Sequence, residues 1–339
     1  VSRSRPARAT LADVARSAGV SKSTASRILN GSSTLVVRPE TRKRVLAAAR
    51  RLRYRPHATA RGLRRARTGA LGLLVPNLTM PVYSRIVRGA VTRALERDVV
   101  VVLVEDLDDG TNEAALDALV RSASTDGLLI ASHRPGHPLL PLLEGARVPH
   151  VFVNRCVPGS RRNVRMADEL ALVAALDHLH ALGHRRIGLV AGPVGNDPGD
   201  RRAAGFRRRA RDLRLELAPV AEEAFTEDGG AVGARALLER HPELTALATG
   251  GLSQAIGALH AAWELGLRVP DDLSLVTVDD LELARYLRPP LTTVRMPLAE
   301  LGAAAVDALL RQLQGEEPLD VVVETRPTVV VRGSTREPR

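Results

Sequence analysis

Residues 10–31 read TLADVARSAGVSKSTASRILNG, and their reading decides the fold. Thr10 carries the short oxygen-bearing side chain that caps a helix start, and Leu11, Val14 and Ala15 then fall on one face of LADVARSA. Gly19 stands where a helix ends in the left-handed conformation that glycine adopts freely. Val20 supplies an apolar turn residue. Ser21 can cap a second helix, KSTASRILN, whose Ala25, Ile28 and Leu29 again make a one-sided stripe. Two short helices about a tight glycine turn predict a helix-turn-helix.

A third helix is expected from Pro39, a favoured first-turn residue, with Glu40 in the positive end of the dipole. It runs through TRKRVLAAARRL, where Val45, Leu46, Ala49 and Leu52 are expected to close a small core. Then YRPHATARGLRRARTG, bounded by Pro56 and Gly69, is basic and nearly free of large apolar groups. It reads as a linker that is helical only when supported.

Charge separates this region from the rest. Residues 1–68 hold 18 Lys and Arg against only Asp13 and Glu40, a net of +16, while the remainder sums to −5. A basic module joined to a mildly acidic body points to a polyanionic partner, most simply nucleic acid. An arginine-rich coding bias explains why only Lys22 and Lys43 are lysines, but not why acids are missing from one fifth of the chain.

From residue 70 short apolar runs alternate with longer amphipathic ones. ALGLLVP precedes VYSRIVRGAVTRALE, VVVVLVE precedes TNEAALDALVRSA, DGLLIA precedes HPLLPLLEGA, and HVFVN closes the series. After residue 167 the rhythm restarts, through ELALVAALDHLHALG, RIGLVAG, RRAAGFRRRARDL, GGAVGARALLERH, ALAT, QAIGALHAAWELG and LSLVTVDD. Buried strands alternating with helices argue a parallel sheet with crossover helices, built twice, with a ligand cleft between the halves at the strand ends. The 339 residues suffice for a small module and such a body.

Composition excludes several classes. Cys156 is the only cysteine, so neither an intramolecular disulfide nor a Cys/His metal cluster is expected, and no metal or cofactor is assigned. VSRSRPARAT leads into no apolar segment and the longest apolar run, VVVVLV at 99–104, is far too short to span a bilayer, so a cytoplasmic protein without membrane contact is expected. The glycines of AGPVGNDPGD match neither a dinucleotide-binding fingerprint nor a P-loop, and no His, Asp and Ser share a nucleophile elbow. An enzyme is not expected.

The chain resembles the LacI family of bacterial transcriptional regulators along nearly its whole length. Residues 10–31, RPETRKRVLAAARRLRYRPHATARGL, TGALGLLVPN, HLHALGHRRIGLVAGP, LGLRVPDDLSLVTVDD and PPLTTVRMP carry the resemblance, in family order. It implies a small all-α helix-turn-helix headpiece over 1–55, a hinge helix or linker over 56–68, and a periplasmic-binding-protein-like α/β core of two doubly wound parallel-sheet lobes over 69–339. The lobes would be 69–166 with 297–326, and 167–296 with 327–339.

By that resemblance the second helix is the recognition helix. Lys22 and Ser23 would face base edges, Arg27 would reach a guanine or a phosphate, and Thr24 and Ser26 would hold phosphates. Thr10, Ser21, Asn30, His57 and Ala60 complete the expected DNA contacts. Leu63, an isolated apolar side chain among arginines, is the candidate minor-groove wedge, with packing on the core lobe as the alternative. Gly62 weakens the free hinge helix by about 1 kcal/mol relative to alanine, favouring a hinge that folds only on DNA. The stretch GSSTLVVRPE is about two residues longer than the usual family loop, so an operator sequence does not transfer from relatives.

Effector contacts are expected from Tyr83, Asn154, Arg202 and Asp279, each with a strand-end cap or surface salt bridge as its plainer reading. An arginine with Asp and Asn suits a carbohydrate, whose hydroxyls both donate and accept. Gly251 and Leu252 stand where the family usually shows an Asn-Asp pair, which removes a hydroxyl acceptor or leaves a drier pocket: either the effector is less polar than a common sugar or the site has drifted. With seven aromatic residues in the chain, a ring-stacking platform looks thin, and Trp263 is expected to face the core or a dimer seam.

The expected molecule is a homodimeric regulator, a repressor on a pseudo-palindromic operator, controlled by a small-molecule effector of carbohydrate type. Its seam would join helix 83–97 with GLSQAIGALHAAWELG, and no C-terminal heptads predict a tetramer. The rivals are a DNA-binding regulator whose core only dimerises, and a stand-alone solute-binding protein.

Overall fold

The computed structural model describes residues 9–29, 35, 37–52, 54, 67–106, 120, 124–132 and 139–339, and the chain divides into two units, Val1–Gly69 and Ala70–Arg339. The expectations for Asn30, His57, Ala60 and Leu63, and most of the segment TNEAALDALVRSA, lie outside the described residues.

The first unit is built from α1 (Leu11–Ala18), α2 (Lys22–Leu29) and α3 (Pro39–Arg51). A reciprocal capping box starts α1: the Asp13 N–H donates to Thr10 Oγ1 at 3.3 Å and the Thr10 N–H donates to the Asp13 carboxylate at 2.9 Å. The Thr10 hydroxyl also holds the Asp13 carboxyl below its ordinary value. Gly19 ends the helix at φ 64°, where a β-carbon would be strained. Val14, Ala25 and Val45, one from each helix, are fully buried at the centre. Leu46 is not among them. It is 38% exposed, because the face of α3 that holds Val45 returns at Ala48 and Ala49 instead.

In the second unit one six-stranded sheet takes β1 (Ala70–Val75), β2 (Val100–Glu105), β3 (Gly127–Ile130), β4 (His150–Val153), β5 (Asn163–Arg165) and β11 (Val321–Val322), in the order β11-β5-β4-β3-β1-β2. Helices α4 (Pro81–Glu96), α5 (Leu139–Ala146) and α10 (Leu298–Leu313) belong with this N-lobe. The other sheet has the order β12-β10-β9-β8-β6-β7, from β6 (Ile187–Ala191), β7 (Val220–Glu222), β8 (Ala246–Thr249), β9 (Ser274–Val278), β10 (Thr292–Arg295) and β12 (Thr328–Val330). Its helices, those of the C-lobe, are α6 (Ala171–Ala181), α7 (Asp197–Asp212), α8 (Glu227–Arg240) and α9 (Leu252–Glu264). Every pairing is parallel except β10 with β12. Strands β1, β3, β4, β6, β8 and β9 are buried throughout, which is why they read as continuous apolar runs.

The chain passes between the lobes after β5, between β10 and α10, and between β11 and β12. All strand carboxyl ends that matter below therefore face a single cleft. Two glycines fix the N-lobe side of it. A β-carbon on Gly89 of α4 would lie 1.9 Å from the Ala299 carbonyl oxygen, and one on Gly302 of α10 would lie 2.1 Å from that of Ile86. The two helices thus touch backbone to backbone.

The C-terminal tail is fastened to the C-lobe by imidazoles. His184 is buried, with Nδ1 2.8 Å from Thr245 Oγ1 and Nε2 2.9 Å from the Arg336 carbonyl, while His178 Nε2 lies 3.0 Å from Thr335 Oγ1. Burial holds both below the usual imidazole range.

Two predictions follow from this packing. Gly302→Ala is expected to destabilise the chain by about 1–3 kcal/mol despite its better helix propensity, read as a lower urea midpoint. An unchanged midpoint would show that the helices separate freely. For the histidines, the unfolded chain binds protons more readily than the folded one, so stability is fully present above the ordinary imidazole value of 6.5 and is lost as pH falls below it. The thermal midpoint should drop between about pH 7.5 and about pH 5.5, and His184→Gln should flatten that slope.

Candidate nucleic-acid interface and interlobe cleft

On the headpiece, Ser21 accepts the Thr24 N–H at 3.1 Å and caps α2. Its hydroxyl also lies 2.8 Å from Thr24 Oγ1 and 3.0 Å from Ser23 Oγ. The three hydroxyls form one cluster at the positive end of the helix, a donor surface suited to phosphate oxygens. Lys22, Ser23 and Arg27 are exposed, Thr24 and Ser26 half-buried, and Ala25 and Ile28 buried. Among the described residues neither Lys22 nor Arg27 has an ion-pair partner, so both cations stand ready for an external anion. Thr10 is exposed, with its hydroxyl engaged by Asp13 at 2.7 Å.

The interlobe cleft encloses a cavity of about 420 Å³, and Tyr83, Asn154, Arg202 and Asp279 all line it. Asn154 ends β4 and Asp279 ends β9, and both stand in the left-handed region, at φ 52° and 73°. Asn and Asp tolerate that conformation better than other side-chain-bearing residues, and here it turns a polar group out of the sheet at the strand end. Tyr83 on α4 is buried, its hydroxyl accepting from Arg155 at 3.2 Å.

Arg202, on α7, is 6% exposed and enters the cavity already neutralised. Its Nε donates to Asp168 Oδ1 at 2.9 Å, one terminal nitrogen donates to the Gly250 carbonyl at 2.8 Å, and the same nitrogen lies 3.7 Å from Asp279 Oδ2. Burial pushes the Asp279 carboxyl above its ordinary value, with Arg202 pulling the other way. The other Asp279 oxygen is buried and has no hydrogen-bond partner among the described residues, and the same is true of Ser132 Oγ just after β3. One orphaned polar atom per lobe therefore borders the same cavity.

Sequence reading missed four residues here. Phe225 stands in the cavity wall, where a stacking platform had looked thin: its ring lies against Gly192, Gly199, Gly250 and Gly251, and a β-carbon on Gly192 would fall 2.2 Å from it. The strand before it, β7, has three residues, too few to announce a strand-end site. Gln254 is fully buried and donates through Nε2 to the carbonyls of Ala191 (2.9 Å), Glu223 (3.1 Å) and Ala224 (3.1 Å), while Oε1 accepts the Gly250 N–H at 3.1 Å. It ties three loops beneath Phe225. Ser132 and Asp168 are ordinary residues in ordinary runs. Leu252, 4% exposed, lines the cavity at the place where the family usually shows a carboxylate, and Trp263, expected at the core or a dimer seam, is 73% exposed on α9.

The comparisons with known proteins agree with this geometry. Residues 10–57 match the family described as bacterial regulatory proteins, lacI family, and residues 176–335 match a periplasmic binding protein-like domain. The HTH-type transcriptional regulator MalR of Streptomyces coelicolor is 35% identical over 342 residues, covering 96% of each chain. The chain belongs to the LacI family of bacterial transcriptional regulators. The lac repressor dimer bound to operator and the anti-inducer ONPF superposes with a TM-score of 0.86 at 28% identity, over 97% of this chain and 100% of that one. A CelR-cellobiose complex matches with a TM-score of 0.75 at 31% identity, over 96% of this chain and 100% of that one. Like the rest of the LacI family, the chain is a DNA-binding transcriptional regulator and not an enzyme, with a helix-turn-helix headpiece and a two-lobed α/β core. Among the described residues no helix is long and apolar enough to cross a membrane, and no three side chains cluster to hold a metal.

Removing the tie under Phe225 should be costly. Gln254→Leu takes the side-chain donor from the Glu223 and Ala224 carbonyls, while the Ala191 carbonyl keeps the Glu223 N–H and the Gly250 N–H keeps the Val190 carbonyl, so a loss of about 1–3 kcal/mol is expected in chemical denaturation. A loss under about 1 kcal/mol would show that water replaces the amide.

Proposed function

We propose that this LacI-family regulator represses transcription as a homodimer on a pseudo-palindromic operator, and that a carbohydrate held between its lobes controls DNA affinity. The observation that carries the effector half is the pair of orphaned atoms, Ser132 Oγ on the N-lobe and one Asp279 oxygen on the C-lobe, bordering one cavity. A polyhydroxylated ligand donates to the carboxylate and exchanges hydrogen bonds with the hydroxyl, and so reads both lobes at once. The ring of Phe225 offers an apolar face for the C–H side of a sugar ring. Tyr83, Asn154 and Arg202 complete the contacts.

The DNA half rests on α2, where Lys22, Ser23 and Arg27 are exposed together, and on the +16 charge of residues 1–68. Thr10, Ser21, Thr24, Ser26, Asn30, His57 and Ala60 are assigned to the same interface, and Leu63 to the minor groove. Dimerisation is supported by apolar side chains left in solvent on β2 and α9: Val100, Val102, Leu103 and Trp263 are all exposed, the last stacked on His260 at 5.9 Å. A second reading, a core that only dimerises, is favoured by Leu252 in the cavity wall.

The test is binding of the full-length chain to a genomic fragment library at two salt concentrations, with and without a panel of sugars and nucleosides. Recovery of a palindrome whose affinity changes with one sugar supports the proposal. A palindrome indifferent to every compound would favour the dimerising core, and no sequence preference would overturn the operator reading. Leu63→Ala is expected to weaken operator binding at least about tenfold while leaving non-specific binding nearly unchanged; equal losses on both would remove Leu63 from the groove.

A further inference from the structure

Arg201 precedes the effector-facing arginine on α7, yet its side chain runs the other way. Its guanidinium is held on the C-lobe by Asp197, with Nε and a terminal nitrogen 3.2 and 3.1 Å from Oδ2. That terminal nitrogen also lies 3.0 Å from Asp168 Oδ2 and donates to Asn154 Oδ1 at 3.4 Å. The other terminal nitrogen donates to the Met166 carbonyl at 3.0 Å and lies 3.7 Å from Glu169. Asn154 ends a strand of the N-lobe sheet, whereas Met166 and Asp168 lie in the passage from β5 to the C-lobe. One side chain thus touches the C-lobe, the crossover and the N-lobe.

Two consecutive arginines share the Asp168 carboxylate, Arg202 at Oδ1 and Arg201 at Oδ2. Arg202 faces the cavity and Arg201 faces the opposite lobe, with the fully buried Asp168 between them. Asn154 lines the cavity as well, so its side-chain oxygen is open to a ligand donor and to Arg201 from different sides.

We propose that Arg201 is a clasp that sets the angle between the lobes, and that ligands in the cleft act on that angle by competing for Asn154 or by shifting Asp168. Arg201 does not itself line the cavity but holds Asn154, which does, and is a positioning residue. The second half of the proposal rests on the cleft being the effector site; the first half does not. A ligand that takes the Asn154 oxygen for a hydroxyl donor loosens the N-lobe end of the clasp, and one that leaves it alone holds the lobes as they stand. Because the 3.4 Å contact is the weakest of the set, it is the one that a ligand breaks first.

The clasp is tested without any ligand, by electron–electron spin distances in the full-length chain. Cys156, exposed and the only cysteine, is replaced in a Cys156→Ser background, and labels are placed through Asp212→Cys on the C-lobe and Gln314→Cys on the N-lobe, both exposed. Labelled chain is diluted with unlabelled chain, so that only distances within one chain are read. The parent should give one narrow distribution. Arg201→Ala and Asn154→Gly should each broaden it about twofold, and the double variant should be no broader than Arg201→Ala alone. Asn154→Asp, which gives the guanidinium a charged acceptor, should keep it narrow. Asn154→Gly leaves the Arg201–Asp168 pair intact and suits the left-handed backbone, so it decides the matter even where Arg201→Ala fails to fold. An unchanged distribution in Asn154→Gly, or independent broadening by the two changes, overturns the clasp. That failure would leave the effector site standing, and failure of every sugar to bind would leave the clasp standing.

Discussion

A carboxylate with no solvent exposure has to be neutralised where it sits, and Asp168 is such a group in the passage between the lobes. An unpaired buried charge costs several kcal/mol, which is enough to forbid most arrangements of the cleft. The chain meets the constraint with consecutive arginines on one helix, and this places α7. With α7 placed, Arg202 reaches the Gly250 carbonyl and approaches Asp279, so the ends of β8 and β9 are referred to the same charge. The cleft walls are therefore positioned by one ion network and not by separate local preferences.

The headpiece was legible because its signals are local. Thr10, Gly19, Ser21 and Pro39 act within one turn of chain, and the structure uses each as its chemistry suggests. Leu46 escaped because the apolar stripe of α3 has a near-equal neighbour in Ala48, and helix phase alone decides between them. The buried parallel strands were legible as apolar runs, while β5, β7 and β11, of two or three residues, carry no periodicity and exist only through their partners.

The same distinction divides the cleft. Asn154 and Asp279 could be picked out as polar residues ending apolar runs, and the left-handed backbone at both shows why the strand stops there. Gln254 and Phe225 could not. Gln254 acts on carbonyls 30 to 63 residues away, and Phe225 fits because four glycines, distant from it in sequence, leave room for its ring. For Trp263 the sequence left two sides open, the core or a dimer seam, because an apolar type on an amphipathic helix fixes no side of it; the ring is exposed, which removes the core and leaves the seam untested.

Leu252 sharpens what the cleft can recognise. With an apolar wall where the family usually shows an acid, the charged groups of the C-lobe side are Arg202 and Asp279, beside the neutral Asn196, Thr226 and Ser253. Arg202 is bound to Asp168, so an anionic ligand gains less from it than from a free guanidinium and would face the Asp279 carboxylate as well. A cationic ligand would have to enter beside the guanidinium. A neutral molecule with one hydroxylated edge and one apolar face avoids both costs, since the edge satisfies the orphaned Asp279 oxygen while the face lies on Phe225. The leucine thus removes a second polar anchor without removing the first. If the cleft is the effector site proposed above, discrimination among such ligands rests on the direction of a few hydroxyls at the Asp279 end, where an unmatched group leaves a buried oxygen unpaired, and hardly at all on the Leu252 wall.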